Sequence, residues 1–195
     1  MKKILSVTCL AVVVVVIFSC QQNAQQASTG VANVSKDSLI RHGEYLVSAI
    51  GCGDCHSPKI LGQHGPEPDP NLVLSGHPSG MPLAKIDTAS VKTWLLFNPA
   101  LTASVGPWGI SYAANLTSDS TGIGNWTEQQ FFKAMREGKS KGLDNARMLL
   151  PPMPWPNFAR LSDHDLRSIF YYLKSTKPVN NVVPAPVAPQ DIAKK

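Results

Sequence analysis

Cys52-Gly53-Asp54-Cys55-His56 is the stretch on which the reading of this sequence turns. Two thiols separated by two residues and followed at once by an imidazole form C-x-x-C-H, the attachment pattern of haem c. The spacing has a physical reason. Two intervening residues set the sulfurs at the separation of the two haem vinyl groups, and the next residue delivers its imidazole to one face of the iron. The 195 residues contain a single such motif, so one covalent haem c is expected, bound through Cys52 and Cys55 with His56 as proximal iron ligand. A thioredoxin-like dithiol would sit in a βαβ context that the flanking sequence lacks, and a zinc site would need a second pair of ligands at suitable spacing.

Working outward, Leu39, Leu46 and Ile50 with Gly43 keep helical spacing and Asp37 or Ser38 can cap the first turn, which predicts a helix over 38–50 ending at the motif. From Ser57 to about Gly124 the chain carries HGPEPDP, SGHPSGMP and VGPWG. Recurrent Gly and Pro predict mostly loop there, with a short helix or strand near Val91 to Phe97. So long a loop in a compact domain needs an organiser other than secondary structure, and a large buried cofactor supplies one. Thr127 and Gln130 then form a capping box, Phe131, Phe132, Ala134 and Met135 give the apolar face, and Gly138 stops the helix. Ser162 caps a last helix striped with Leu166, Ile169, Phe170 and Leu173, and Pro178 lies just past its end. The Pro-rich tail over 185–195 is expected to be disordered. No alternating strand pattern is visible, so the expected fold class is all-α.

Iron in an electron-transfer haem usually takes a sixth protein ligand, most often Met in carriers of one haem. Met135 falls on an apolar helix face, where Met is usually core filler. Met81 sits in a Gly/Pro loop, and Met148 precedes the last helix. Met153 lies within P-P-M-P-W-P, whose prolines fix backbone dihedrals and hold a thioether at low entropic cost, so Met153 is the expected distal iron ligand. His42, His64, His77 and His164 are the alternatives for a bis-His iron. Trp94, Trp108, Trp126 and Trp155 are expected to pack against haem and core.

The N-terminus reads as a lipoprotein-type signal peptide over 1–19: Lys2-Lys3, then an apolar run from Ile4 through Phe18 that is short for a membrane span. Ile17 to Cys20 resembles a bacterial lipobox, which makes Cys20 the lipidation site; the alternative is an uncleaved transmembrane helix. Gln21 to Lys36 reads as spacer, giving a flexible linker over 20–36. Cys9 leaves with the leader and Cys20 takes the lipid, so only Cys52 and Cys55 remain of four cysteines. Without Lys2 and Lys3, the formal +5 charge falls to 16 Lys and Arg against 13 Asp and Glu, and no block of like charges forms a patch. Nucleic acid is therefore not an expected partner.

GEYLVSAIGCGDCHSPK, GPWGISYAANLT, TGIGNWTEQQF and LLPPMPWPNFARLSDHDLRSIFYYLKS together resemble a family of exported bacterial cytochromes c, over roughly residues 41 to 184. The resemblance implies a cytochrome c domain over 37–184 with a class I-like fold, in which the first and last helices cross beside the haem. Gly43 against Tyr171 or Tyr172 looks like that crossing, and Met153 matches the distal Met of the family. Ser118 stands where such sequences often have Pro. The function implied is electron transfer without catalysis, as a carrier or as the electron-accepting subunit of a respiratory dehydrogenase chain. Its redox partners would be dehydrogenase or oxidase components, and its location the periplasmic face of a membrane, held by the lipid anchor. An enzyme or gas sensor would instead need an open iron position.

Overall fold

Gly43 sets the packing of the two longest helices among the described residues. Helix α1 (Lys36–Ala49) lies against helix α5 (Asp163–Ser175), and a Cβ at Gly43 would stand 2.0 Å from the Ser168 carbonyl oxygen and 2.7 Å from the Tyr172 Cβ. Only the absence of a side chain permits this approach. Gly43 and Val47 of α1 and Leu166, Ile169, Phe170 and Leu173 of α5 are buried at spacings of three or four. That is the period at which one helix face repeats. Helix α5 begins with a complete capping box, Ser162 and Asp165 each bonding the other's backbone N–H.

The structure is a computed structural model describing residues 34–194. Between α1 and α5 the chain forms the short helix α2 (Cys52–His56), strands β1 (Lys59–Gly62) and β2 (Gly65–Pro68), β3 (Leu96–Phe97), β4 (Ala103–Gly106) and β5 (Gly109–Tyr112), helix α3 (Glu128–Glu137) and the single turn α4 (Trp155–Phe158). Strands β1 and β2 form one antiparallel hairpin, and β3, β4 and β5 form a second antiparallel sheet in that order.

The two sheets overturn the all-α, class I-like expectation: the architecture is mixed α/β. Strands of two to four residues are too short to display an alternating pattern, and β4 is buried at all four positions, so it has no alternation to show. The glycines read as breakers are hairpin corners, Gly62 opposite Gly65 and Gly106 opposite Gly109. The predicted helices are present within two residues, and the capping box at Thr127 opens α3 with both bonds made.

The core has two parts. The larger joins Val47, Leu74, Ile123, Phe131, Met135 and the buried face of α5, with the Phe131 and Phe170 rings 5.5 Å apart. The smaller joins Val91, Val105, Ile110 and Ile192 beneath the three-stranded sheet. Its last member corrects a further expectation: residues 185–195 were expected to be disordered, yet Val187 pairs with Ile110, Pro189–Lys194 form a 3-10 helix, and Ile192 is buried. Proline prevents regular helix or strand but not docking by one apolar side chain. The expected signal peptide over 1–19, Cys20, and the expected linker as far as position 33 lie outside the described residues, and Lys36, the last linker position, opens α1. Among the described residues no helix is long and apolar enough to cross a membrane.

Gly43→Val is expected to force α1 from α5 and destabilise the domain by about 1–3 kcal/mol or more, a typical overpacking cost. Chemical denaturation would measure it, and wild-type stability would show that the helices do not depend on this approach.

Candidate haem site

The motif is delivered by the end of α1. That helix stops at Ala49, Gly51 adopts a left-handed conformation with φ 74°, and Cys52–His56 immediately form α2. The Asp54 N–H donates to the Gly51 carbonyl at 3.1 Å. At the other end the Lys59 ammonium donates to the carbonyls of Gly53, Asp54 and Ser57 at 3.1, 3.0 and 2.6 Å, beside the bond that the Gly53 carbonyl accepts from the Ser57 N–H, and so closes the C-terminal end of the short helix.

Both thiols are free and half-buried. Burial pushes the Cys52 thiol up to about 11 and raises that of Cys55 as well, so both are neutral at pH 7. The His56 Nδ1 donates to the Ala114 carbonyl at 2.7 Å. That bond orients the ring and leaves Nε2 with its lone pair free, as an imidazole ligand to a metal requires. Burial lowers the His56 pKa, so the ring stays neutral. Its backbone is fixed too: the His56 carbonyl accepts from Gly76 at 2.8 Å, and the Ser57 hydroxyl accepts from the Leu74 N–H at 2.9 Å.

Met153 is half-buried and packs against the larger core, as does Cys52. Its loop is held from two sides. Helix α3 ends at Gly138 in a left-handed conformation, where a Cβ would meet the Trp155 ring at 2.4 Å. The Leu149 N–H donates to the Gly138 carbonyl, and Lys139 pairs with Met148. From the sheet, the Ser111 hydroxyl donates to the Pro151 carbonyl at 2.6 Å while accepting from Ser104 Oγ at 2.8 Å and Trp108 Nε1 at 3.3 Å. One proton and two lone pairs of a single hydroxyl are thereby all used.

The other sequence candidates are placed elsewhere. Met135 is core filler on α3, Met148 is exposed, and Met81 Sδ accepts from Asn98 Nδ2 at 3.5 Å. His77 is buried with Nδ1 3.0 Å from Thr102 Oγ1, His64 is exposed at the β1–β2 turn, and His42 bonds Asp165 at 2.7 Å. Trp126 packs on the larger core as expected, whereas Trp94 is exposed. Ser118 does what Pro could not: its N–H donates to Thr176 Oγ1 at 3.2 Å and its hydroxyl to the Thr176 carbonyl at 2.6 Å. A cavity of about 630 Å³ lies against both sheets, lined by Leu61, Met81, Leu83, Phe97 and Val105 among others, and no expected site residue lines it.

Two neutral thiols, an oriented neutral imidazole and a thioether are the donor set that suits a covalently attached haem. Leu46, Ile50, Leu116, Trp126, Phe132, Phe158 and Leu161 pack only partly buried on the cluster that Cys52 and Met153 share, an apolar surface of the kind a macrocycle can cover.

Comparison with known proteins finds similar sequences among cytochrome c subunits. No family model matches the chain. It is similar to the gluconate 2-dehydrogenase cytochrome c subunit of Pantoea cypripedii, 31% identical over 149 residues, covering 74% of this chain and 25% of the relative. It is likewise similar to the cytochrome c subunit of the quinone alcohol dehydrogenase of Gluconobacter oxydans, 31% identical, covering 76% of this chain and 24% of the relative. The fructose dehydrogenase cytochrome subunit of Gluconobacter japonicus is 30% identical, covering 80% and 25%. The chain spans about a quarter of the length of these relatives. The similarities support a cytochrome c family for this chain.

Sequence reasoning read Gly138 only as a helix stop, and it did not find Ser111 or Ala114, which place the Met153 loop and the motif's imidazole. No local signal marks them, because each acts on a residue distant in sequence. Ser111→Ala should leave the Pro151 carbonyl and two donors unpaired and destabilise the fold by about 1–3 kcal/mol. A wild-type denaturation midpoint in that variant would show that the contact carries no weight.

Proposed function

We propose that the chain binds one haem c through thioether bonds to Cys52 and Cys55, that His56 Nε2 and Met153 Sδ would hold its iron, and that it passes single electrons between a dehydrogenase partner and the next acceptor. The observation that carries the reading is the His56 Nδ1 bond to the Ala114 carbonyl, which leaves the neutral Nε2 available within a C-x-x-C-H helix whose thiols are unpaired. When bound, the group takes up and gives back one electron. This chain's residues attach it, orient its proximal ligand and surround it with apolar side chains.

The chain itself is not an enzyme in this reading. His56 and Met153 would both hold the iron of the group, which would then serve electron transfer and leave no place for a substrate at the metal. Denaturing gels stained for haem should show covalent attachment, and a pyridine haemochrome assay one haem per chain. A Cys52→Ala, Cys55→Ala double variant that kept the stain would sink the assignment. Met153→Ala should abolish the near-infrared Met–iron band and admit carbon monoxide to the reduced iron, whereas Met135→Ala and Met148→Ala should preserve the band. Reduced wild-type protein that bound carbon monoxide readily at neutral pH would instead favour catalysis or sensing.

The N-terminal pattern supports export, with Cys20 lipidated and the domain held at the periplasmic face of a membrane. Cys20→Ala is expected to block processing or release the protein to the soluble fraction. Unchanged attachment with an intact leader, read by fractionation and mass spectrometry, would favour an uncleaved transmembrane helix.

A further inference from the structure

At the crossing of α1 and α5, next to Gly43, three side chains with metal-binding atoms converge and have no part in the proposed electron transfer. His42 Nε2 stands 2.7 Å from Asp165 Oδ1, and His164 Nδ1 stands 4.0 Å from the same oxygen, beyond hydrogen-bond length. One ligating atom from each of the three residues lies within 4.8 Å of the others. The two imidazole rings are 5.1 Å apart, centroid to centroid. His42 reaches this point from a helix 123 residues away in sequence, so the fold, not local sequence, assembles the group.

We propose that His42, His164 and Asp165 bind a divalent transition-metal ion of the Zn2+ type, clamping α1 to α5. Zinc takes His nitrogen and Asp oxygen at about 2.0–2.2 Å in tetrahedral geometry, which separates ligand atoms by roughly 3.3 Å. The observed separations of 2.7 and 4.0 Å bracket that value, and on binding the ion would replace the proton that His42 Nε2 donates to Asp165 Oδ1, the ring passing to its Nδ1–H tautomer. The carboxylate is already oriented: Asp165 Oδ2 accepts from the Ser162 hydroxyl at 2.7 Å and from the Ser162 N–H at 3.3 Å, which leaves Oδ1 facing the two rings. This outer hydrogen bonding is the support that metal carboxylates ordinarily have. The side chains of His42, Asp165 and His164 are 36%, 26% and 50% exposed, so the ion can enter from solvent and keep water in its remaining position. Two imidazoles and one carboxylate suit zinc and disfavour calcium and magnesium, which require oxygen ligands. An ion bound only by the folded protein raises its stability with concentration, and here it would do so at the contact between α1 and α5.

The test is calorimetric titration of the untagged, haem-loaded full-length protein with zinc chloride, paired with melting curves at increasing zinc. The expected result is saturable binding of one Zn2+ per chain and a melting temperature that rises with zinc but not with magnesium. His164→Ala keeps the His42–Asp165 bond and Ser162 cap, so it should fold and melt as wild type without zinc, yet bind zinc roughly tenfold or more weakly. His42→Gln should lose zinc affinity likewise. Absence of saturable binding in the wild-type protein, or affinity unchanged in both variants, would overturn the proposal. Haem content and the Met–iron band are read separately, so failure here is distinct from failure of the electron-transfer reading.

Discussion

The rest of the structure depends on the contact between α1 and α5 at Gly43. Burying Val47 against Leu166, Ile169 and Leu173 requires the two backbones to approach until a single methyl group would collide with the Ser168 carbonyl. Because the packing is that close, the direction in which α1 ends is set, and the C-x-x-C-H helix begins three residues later. The same approach carries His42 to Asp165 at the first turn of α5. A glycine with no chemistry of its own thereby positions both the expected haem-binding residues and a second cluster of ligating side chains.

The long middle segment raises a separate physical problem. Its Gly and Pro content calls for an organiser other than secondary structure, and buried amides and hydroxyls supply part of that organisation. Asn115 donates to Thr121 and to the Val179 carbonyl while its carbonyl oxygen accepts from the Thr117 backbone and hydroxyl. Asn181 donates to the carbonyls of Ser75 and His77 and accepts from the Ser79 N–H. Among the described residues no buried side-chain nitrogen or oxygen is left without a partner. Such fully satisfied networks specify one arrangement because any other leaves a buried group unpaired, at a cost of about 1–3 kcal/mol each. Asn115, Thr117 and Asn181 lie in loops and are nonetheless part of the interior of the domain.

Placement of the Met153 loop follows the same logic. Its prolines limit the backbone, but the position of the loop comes from a hydroxyl on β5 and from the left-handed end of α3. Together these bring the segment onto the core that Cys52 also touches. The proposed proximal and distal residues lie almost a hundred positions apart in sequence. Their shared surroundings arise from contacts that each of the intervening elements makes with its neighbours.

By itself, the sequence determined what is local. C-x-x-C-H names its chemistry through three residues in a fixed order, and the helices announce themselves by capping boxes and apolar spacing, because both signals arise within one or two turns of chain. Tertiary structure decided what is non-local. The strands of two to four residues owe their existence to pairing partners across Gly-cornered hairpins, and the tail is ordered because Ile192 fills a pocket made by Val91, Val105 and Ile110. The tautomer of His56 depends on a carbonyl 58 residues away. The physical reason is common to all three: a hydrogen bond or an apolar contact has no sequence signature when its partner is distant, since the free energy resides in the pair and neither residue alone reports it.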